Sequence, residues 1–158
     1  MARKPLFVLG ALVLIAQFFR PDRSVPAHSA ATDMLVMTGA PEHISALVRQ
    51  ACYDCHSYET SYPFYSSVTP VNYWIQHHVS EAREELNFSR WDLAAGSEAA
   101  GESGEEIAEG EMPLPSYTWL HGEARLSPAE RDALATWFKT TMGGGEQGGT
   151  RHRHRHAD

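Results

Sequence analysis

Cys52, Cys55 and His56 stand in the order Cys-Tyr-Asp-Cys-His, and the chemistry of the chain is concentrated there. Two thiols three residues apart can each form a thioether to a vinyl group on one face of a haem. A histidine directly after them places its imidazole where it reaches the iron from one side. This C-x-x-C-H spacing is the attachment signature of c-type haem. Two other readings use the same residues: a dithiol redox pair and half of a zinc site. The redox pair has no use for His56, and no second C-x-x-C completes a zinc site. Cys52 and Cys55 are the only cysteines, so the chain has no disulfide framework.

An iron held by His56 needs a sixth ligand or an open position. Met112 is the expected distal ligand, because a thioether opposite a histidine raises the reduction potential and is common in cytochromes c. Pro113-Leu114-Pro115 follows it and stiffens the loop that carries the sulfur. Met34 and Met37 precede the motif, and Met142 falls near the end of the last helix. His78 and His121 are the competing candidates. A methionine in isolation reads as core filler.

Helices must position these groups. Ile44, Leu47, Val48 and Ala51 fall at i, i+3, i+4 and i+7, which predicts an amphipathic helix from about Pro41 to Ala51. That helix delivers the chain directly into Cys52. Tyr58, Tyr62, Pro63, Phe64, Tyr65 and Pro70 form a loop whose aromatics suit either a porphyrin wall or a small core. A second amphipathic helix is predicted over residues 71–86, with Val71, Ile75, His78, Val79, Ala82 and Leu86 on one face. Residues 96–110 are acidic and read as a solvated loop running into a short helix from Gly104; a docking patch for a positively charged redox partner is the alternative. Ser127-Pro128-Ala129-Glu130 is a capping box that starts a final helix, in which Leu134, Trp137 and Phe138 share the apolar face.

Taken together, Cys52-Tyr53-Asp54-Cys55-His56-Ser57, Tyr62-Pro63-Phe64-Tyr65-Ser66, Pro70-Val71, Leu86-Asn87-Phe88-Ser89 with Trp91, and Gly110-Glu111-Met112-Pro113 with Tyr117 and His121 resemble the bacterial haem-binding domain family. Those proteins are small, exported and related to monohaem cytochromes c. The resemblance covers about residues 41–138, with Phe64 where members usually carry Trp. It implies an all-α, cytochrome c-like single domain around one covalent haem c, in which the last helix crosses the first. It also implies haem binding more firmly than any pathway.

The chain has 158 residues, which suits one domain with tails, and a formal net charge of -7, which excludes the basic surface that nucleic acid requires. Leu6 to Phe19 is an apolar run preceded by Arg3 and Lys4 and interrupted by Gln17 alone among strongly polar residues. As a helix it reaches ~21 Å, short of the ~30 Å hydrocarbon core. Small-residue cleavage positions at Ala27-His28-Ser29 and Ser29-Ala30-Ala31 lie far beyond the run, which favours an uncleaved anchor over a signal peptide.

The expected organisation is a membrane or signal segment at 1–20, a linker at 21–40, the haem domain at 41–142, and a Gly/Arg/His tail at 143–158. The expected protein is an electron carrier on the periplasmic side of the cytoplasmic membrane. Cys52 and Cys55 carry the haem, His56 and Met112 ligate the iron, and redox proteins are its partners. A haem sensor, or a peroxidase-like unit with a labile or open sixth position, is the alternative.

Overall fold

The computed structural model describes residues 3–142; the tail at 143–158 lies outside the described residues. Among the described residues nine α-helices run in order: α1 (Arg3–Ala16), α2 (Met34–Thr38), α3 (Glu42–Ala51), α4 (Tyr53–His56), α5 (Val71–Glu85), α6 (Trp91–Ala94), α7 (Glu98–Glu109), α8 (Pro115–Thr118) and α9 (Pro128–Met142). No strand occurs among the described residues.

The amphipathic stripe of α3 does what its spacing predicts. Ile44, Val48 and Ala51 are buried, Leu47 packs at the edge of the core, and Pro41 stands at the helix start. The capping box of α9 is also formed: Ser127 N donates to Glu130 Oε2 at 2.8 Å, and Glu130 N donates to Ser127 Oγ at 3.3 Å. Helix α9 buries Leu134, Ala135, Phe138 and Met142, packing on α7 and on α3.

Two segments differ from expectation. The stretch read as linker is folded from Ala30 onward. Asp33 caps α2 by accepting from Leu35 N at 2.9 Å, Met34 is fully buried in the core, and Gly39, at φ 62°, ends the helix. A helix of five residues is too short to display a period, so its sequence signal was weak. The acidic stretch is one helix, α7, from Glu98, because Ser97 Oγ accepts from Ala100 N and so starts it earlier than Gly104.

Gly104 is the contact point of that helix. A side chain there would meet Lys139 N at 2.8 Å and Ala135 O at 2.9 Å, both backbone atoms of α9. The missing side chain is what lets α7 and α9 approach so closely.

Helix α1 stands apart from the core, with Leu6, Phe7, Val8 and Leu9 all exposed. No helix among the described residues is long and apolar enough to cross a membrane. The segment expected at the membrane is, among the described residues, a short exposed apolar helix.

Alanine exceeds glycine in helix propensity by about 1 kcal/mol. At position 104 that gain is outweighed, since overpacking against fixed backbone costs about 1–3 kcal/mol. Gly104→Ala should therefore lower the urea midpoint. Gly101→Ala, on the same helix with nothing within 4 Å, should leave it unchanged or raise it.

Candidate functional site

The motif turn α4 follows α3 after a break at Cys52, whose φ of -124° takes the chain out of α3. Its two intervening residues fasten it on opposite sides. Tyr53 is buried and its hydroxyl donates to the Asp33 carboxylate, at 2.8 Å to each oxygen. Burial, then the Asp33 carboxylate, push that phenol well above its ordinary value. Asp54 faces the other way. Its carboxylate accepts from Ser61 N at 2.8 Å and from the Tyr117 hydroxyl at 2.7 Å.

His56 is half-buried. Its ring packs on Phe88 with centroids 5.5 Å apart, and its Nδ1 lies 2.9 Å from the Leu86 carbonyl oxygen. A carbonyl only accepts, so Nδ1 carries the proton and Nε2 keeps its lone pair. Nε2 has no partner among the described residues and is not sealed from solvent. Burial lowers the imidazole's pKa, opposed by the backbone contacts to Leu86 and Ala82. A neutral ring with an oriented Nδ1–H is the form in which histidine binds a metal.

Cys52 and Cys55 are unpaired and half-buried. Burial pushes the Cys52 thiol up to about 12, and burial with the Asp54 charge pushes Cys55 up to about 11. A working dithiol redox pair has one thiol lowered toward 7 or below, so these cysteines are poor candidates for that role. Among the described residues no group of three or more His, Cys, Asp or Glu is arranged to hold a metal ion.

Cys55 opens onto a cleft with a largely apolar wall, formed by Tyr62, Pro63 and Tyr65 on one side, Trp74, Ile75, His78 and Val79 from α5, and Leu114, Tyr117, Leu120 and His121 beyond. This explains why Trp74 stays exposed and Ile75 and His78 half-buried: that part of the face of α5 borders a cleft rather than the core. Two histidines reach the cleft in different states. His121 is tied at both nitrogens, Nε2 at 2.5 Å from the Tyr65 hydroxyl and Nδ1 at 3.2 Å from Glu123, and it stacks on Tyr117 at 4.2 Å. His78 lies edge-on to Trp74 at 4.6 Å, with Nδ1 3.6 Å from Glu81 and Nε2 without a partner among the described residues.

Of the four expected site residues, only Cys55 lines this cleft. Cys52 packs against the core behind it, and His56 sits one residue deeper toward Leu86. Met112 is half-buried against the hydrophobic core and is not part of the cleft wall, although Leu114 two residues on is.

The family model for the haem-binding domain matches residues 11–140. The chain belongs to the haem-binding domain family. No curated protein and no solved structure matches it. The matched span takes in the capped α2 as well as the motif, in keeping with a fold that begins before residue 41. As a haem-binding domain it has haem as its cofactor, and the residues fit that group: two uncharged thiols, an imidazole whose Nε2 has no partner among the described residues, and an aromatic-lined cleft beside Cys55.

Sequence reasoning missed the Leu86 carbonyl, the Asp33–Tyr53 bond and the Tyr117–Asp54 bond. Backbone carbonyls carry no sequence signal, and Tyr117 and Asp54 are too far apart along the chain for any local pattern to pair them. In haem-free protein, the alkylation rate of both cysteines should still be rising steeply at pH 10, since their thiolates form only near 11 and 12. A rate that levels off near pH 7–8 would restore the dithiol reading.

Proposed function

We propose that the protein is an exported, monohaem c-type electron carrier, held at the periplasmic side of the cytoplasmic membrane by its N-terminal segment. The observation that carries this reading is the His56 Nδ1–H to Leu86 carbonyl hydrogen bond beside two unpaired thiols at C-x-x-C spacing. Cys52 and Cys55 hold the haem through thioethers, and His56 Nε2 is the proximal ligand. Bound there, haem supplies a one-electron couple, which needs no proton donor or substrate pocket. The chain's own work is to orient the imidazole, keep both sulfurs in place and line the group with aromatic side chains that exclude water.

Met112 is the distal ligand in this reading. Its support is the Gly-Glu-Met-Pro segment and a half-buried position two residues from the cleft wall, at Leu114. A second reading has a specific observation behind it. His78 already lines the cleft and has an unpartnered Nε2, which favours a bis-histidine iron or, if His78 stands off, an open position for a gas or peroxide. His121 is the weaker competitor because both its nitrogens are engaged. The partners are redox proteins with positive surfaces. The support is the net charge of -7 and the acidic run around Glu106, whose pKa is raised by burial and then by the charges of Glu111, Glu102, Glu109 and Glu105.

Ferric protein should show the weak far-red sulfur-to-iron absorption, and Met112→Ala should abolish it and lower the reduction potential. If Met112→Ala leaves the spectrum unchanged and His78→Ala turns the iron high-spin, the ligand is His78. Wild-type iron that is high-spin and binds carbon monoxide readily when reduced would favour sensing or peroxide chemistry over electron transfer.

A further inference from the structure

Helix α1 is apolar on every side. Leu6, Phe7, Val8 and Leu9 are consecutive, so at 100° per residue they take in the whole circumference, and they are 58–76% exposed. A protein partner covers one side of a helix and leaves the rest bare. A helix apolar all round is suited to a core or to lipid. Lying flat in an interface requires a polar face, which these residues do not provide.

The joint between α1 and the domain is clamped. Gln17 Nε2 donates to Thr69 O at 3.1 Å, and Gln17 Oε1 accepts from Thr69 N at 2.9 Å. Thr69 Oγ1 donates to Phe19 O at 3.3 Å, and Arg20 Nη1 donates to Ser67 O at 2.8 Å. Arg23 donates to Ser66 O, and its guanidinium lies 4.0 Å over the Tyr62 ring. The helix end is thus fixed against the loop at residues 62–69.

The two segments that those clamps hold together carry uncovered apolar side chains: Phe18 at 87%, Phe64 at 88%, Phe19 at 62% and Val68 at 46% exposed. They lie at the domain end of α1, where a bilayer's interfacial zone begins if α1 is in lipid. Helix length adds a second reason. An apolar run of ~21 Å falls short of a ~30 Å core, and such a deficit draws the flanking residues toward the lipid.

We propose that the face made by Phe18, Phe19, Phe64 and Val68 seats in the interfacial zone of a lipid bilayer with α1 buried beneath it, holding the domain in one orientation. This rests on the membrane-tether reading above and adds a docked face to it. Pro63 and Tyr65, the neighbours of Phe64, line the cleft, so its rim then lies beside the lipid surface.

The full-length haem-loaded protein, mixed with phosphatidylcholine vesicles carrying a photoactivatable carbene lipid, tests this by flotation and by mapping the labelled peptides. The expected result is flotation with label on α1, on residues 18–19 and on residues 64–68. Phe18→Ser combined with Phe64→Ser should cut the label at 64–68 at least five-fold, with label on α1 and the haem spectrum unchanged. Label confined to α1 overturns the docked face and leaves the tether standing. Protein that stays unlabelled in the dense fraction, or whose intact mass lacks α1, overturns both. Label absent from 64–68 in a protein that self-associates shows a second copy on that face and also overturns the proposal.

Discussion

The hydrogen bond from His56 Nδ1–H to the Leu86 carbonyl is the constraint on which the site depends. It joins the Cys52–His56 turn to the end of α5, fixes the tautomer, and leaves Nε2 without a partner among the described residues. Leu86 can serve because α5 ends there: its backbone is extended, and its N–H still bonds back to Ala82 O. The helix that walls the cleft therefore also orients the His56 imidazole. A displacement of α5 would move cleft wall and imidazole together.

The motif's two intervening residues extend the same logic. Tyr53 ties the turn to the start of α2 through Asp33, and Asp54 ties it to α8 through Tyr117. Hydrogen bonds to charged groups contribute about 1.5–3 kcal/mol each, enough to hold a single helical turn that could not persist alone. With Asp33 capping α2 and Met34 filling the core, residues N-terminal to the expected domain help build the site. Haem binding is thus a property of the whole helical fold rather than of five residues set on it.

Local signals were legible in the sequence, and tertiary ones were not. The stripe of α3 and the Ser127–Glu130 box announce themselves because each depends on residues within one or two turns. Helix α7 hid behind Ala, Gly and Ser, whose value lies in close approach to α9 at Gly104, a contact known only once both helices are placed. Asn72, at the start of α5, is fully buried although nothing in its neighbourhood predicts it; its amide donates to Thr69 Oγ1 and its carbonyl accepts from Tyr73 N. For the site, the C-x-x-C-H spacing singled out Cys52, Cys55 and His56 as the candidates to hold haem. The roles of Met112 and His78 depend on which side chain faces the cleft, and residue spacing carries no such information.

The central claim is covalent attachment at Cys52 and Cys55. Its most direct measurement is the mass of the denatured, acid-acetone-extracted protein from cells competent in c-type haem maturation. The account predicts a chain heavier by one haem, with both cysteines refractory to alkylation. A chain at its polypeptide mass, with two alkylatable thiols and all haem in the extract, would contradict it.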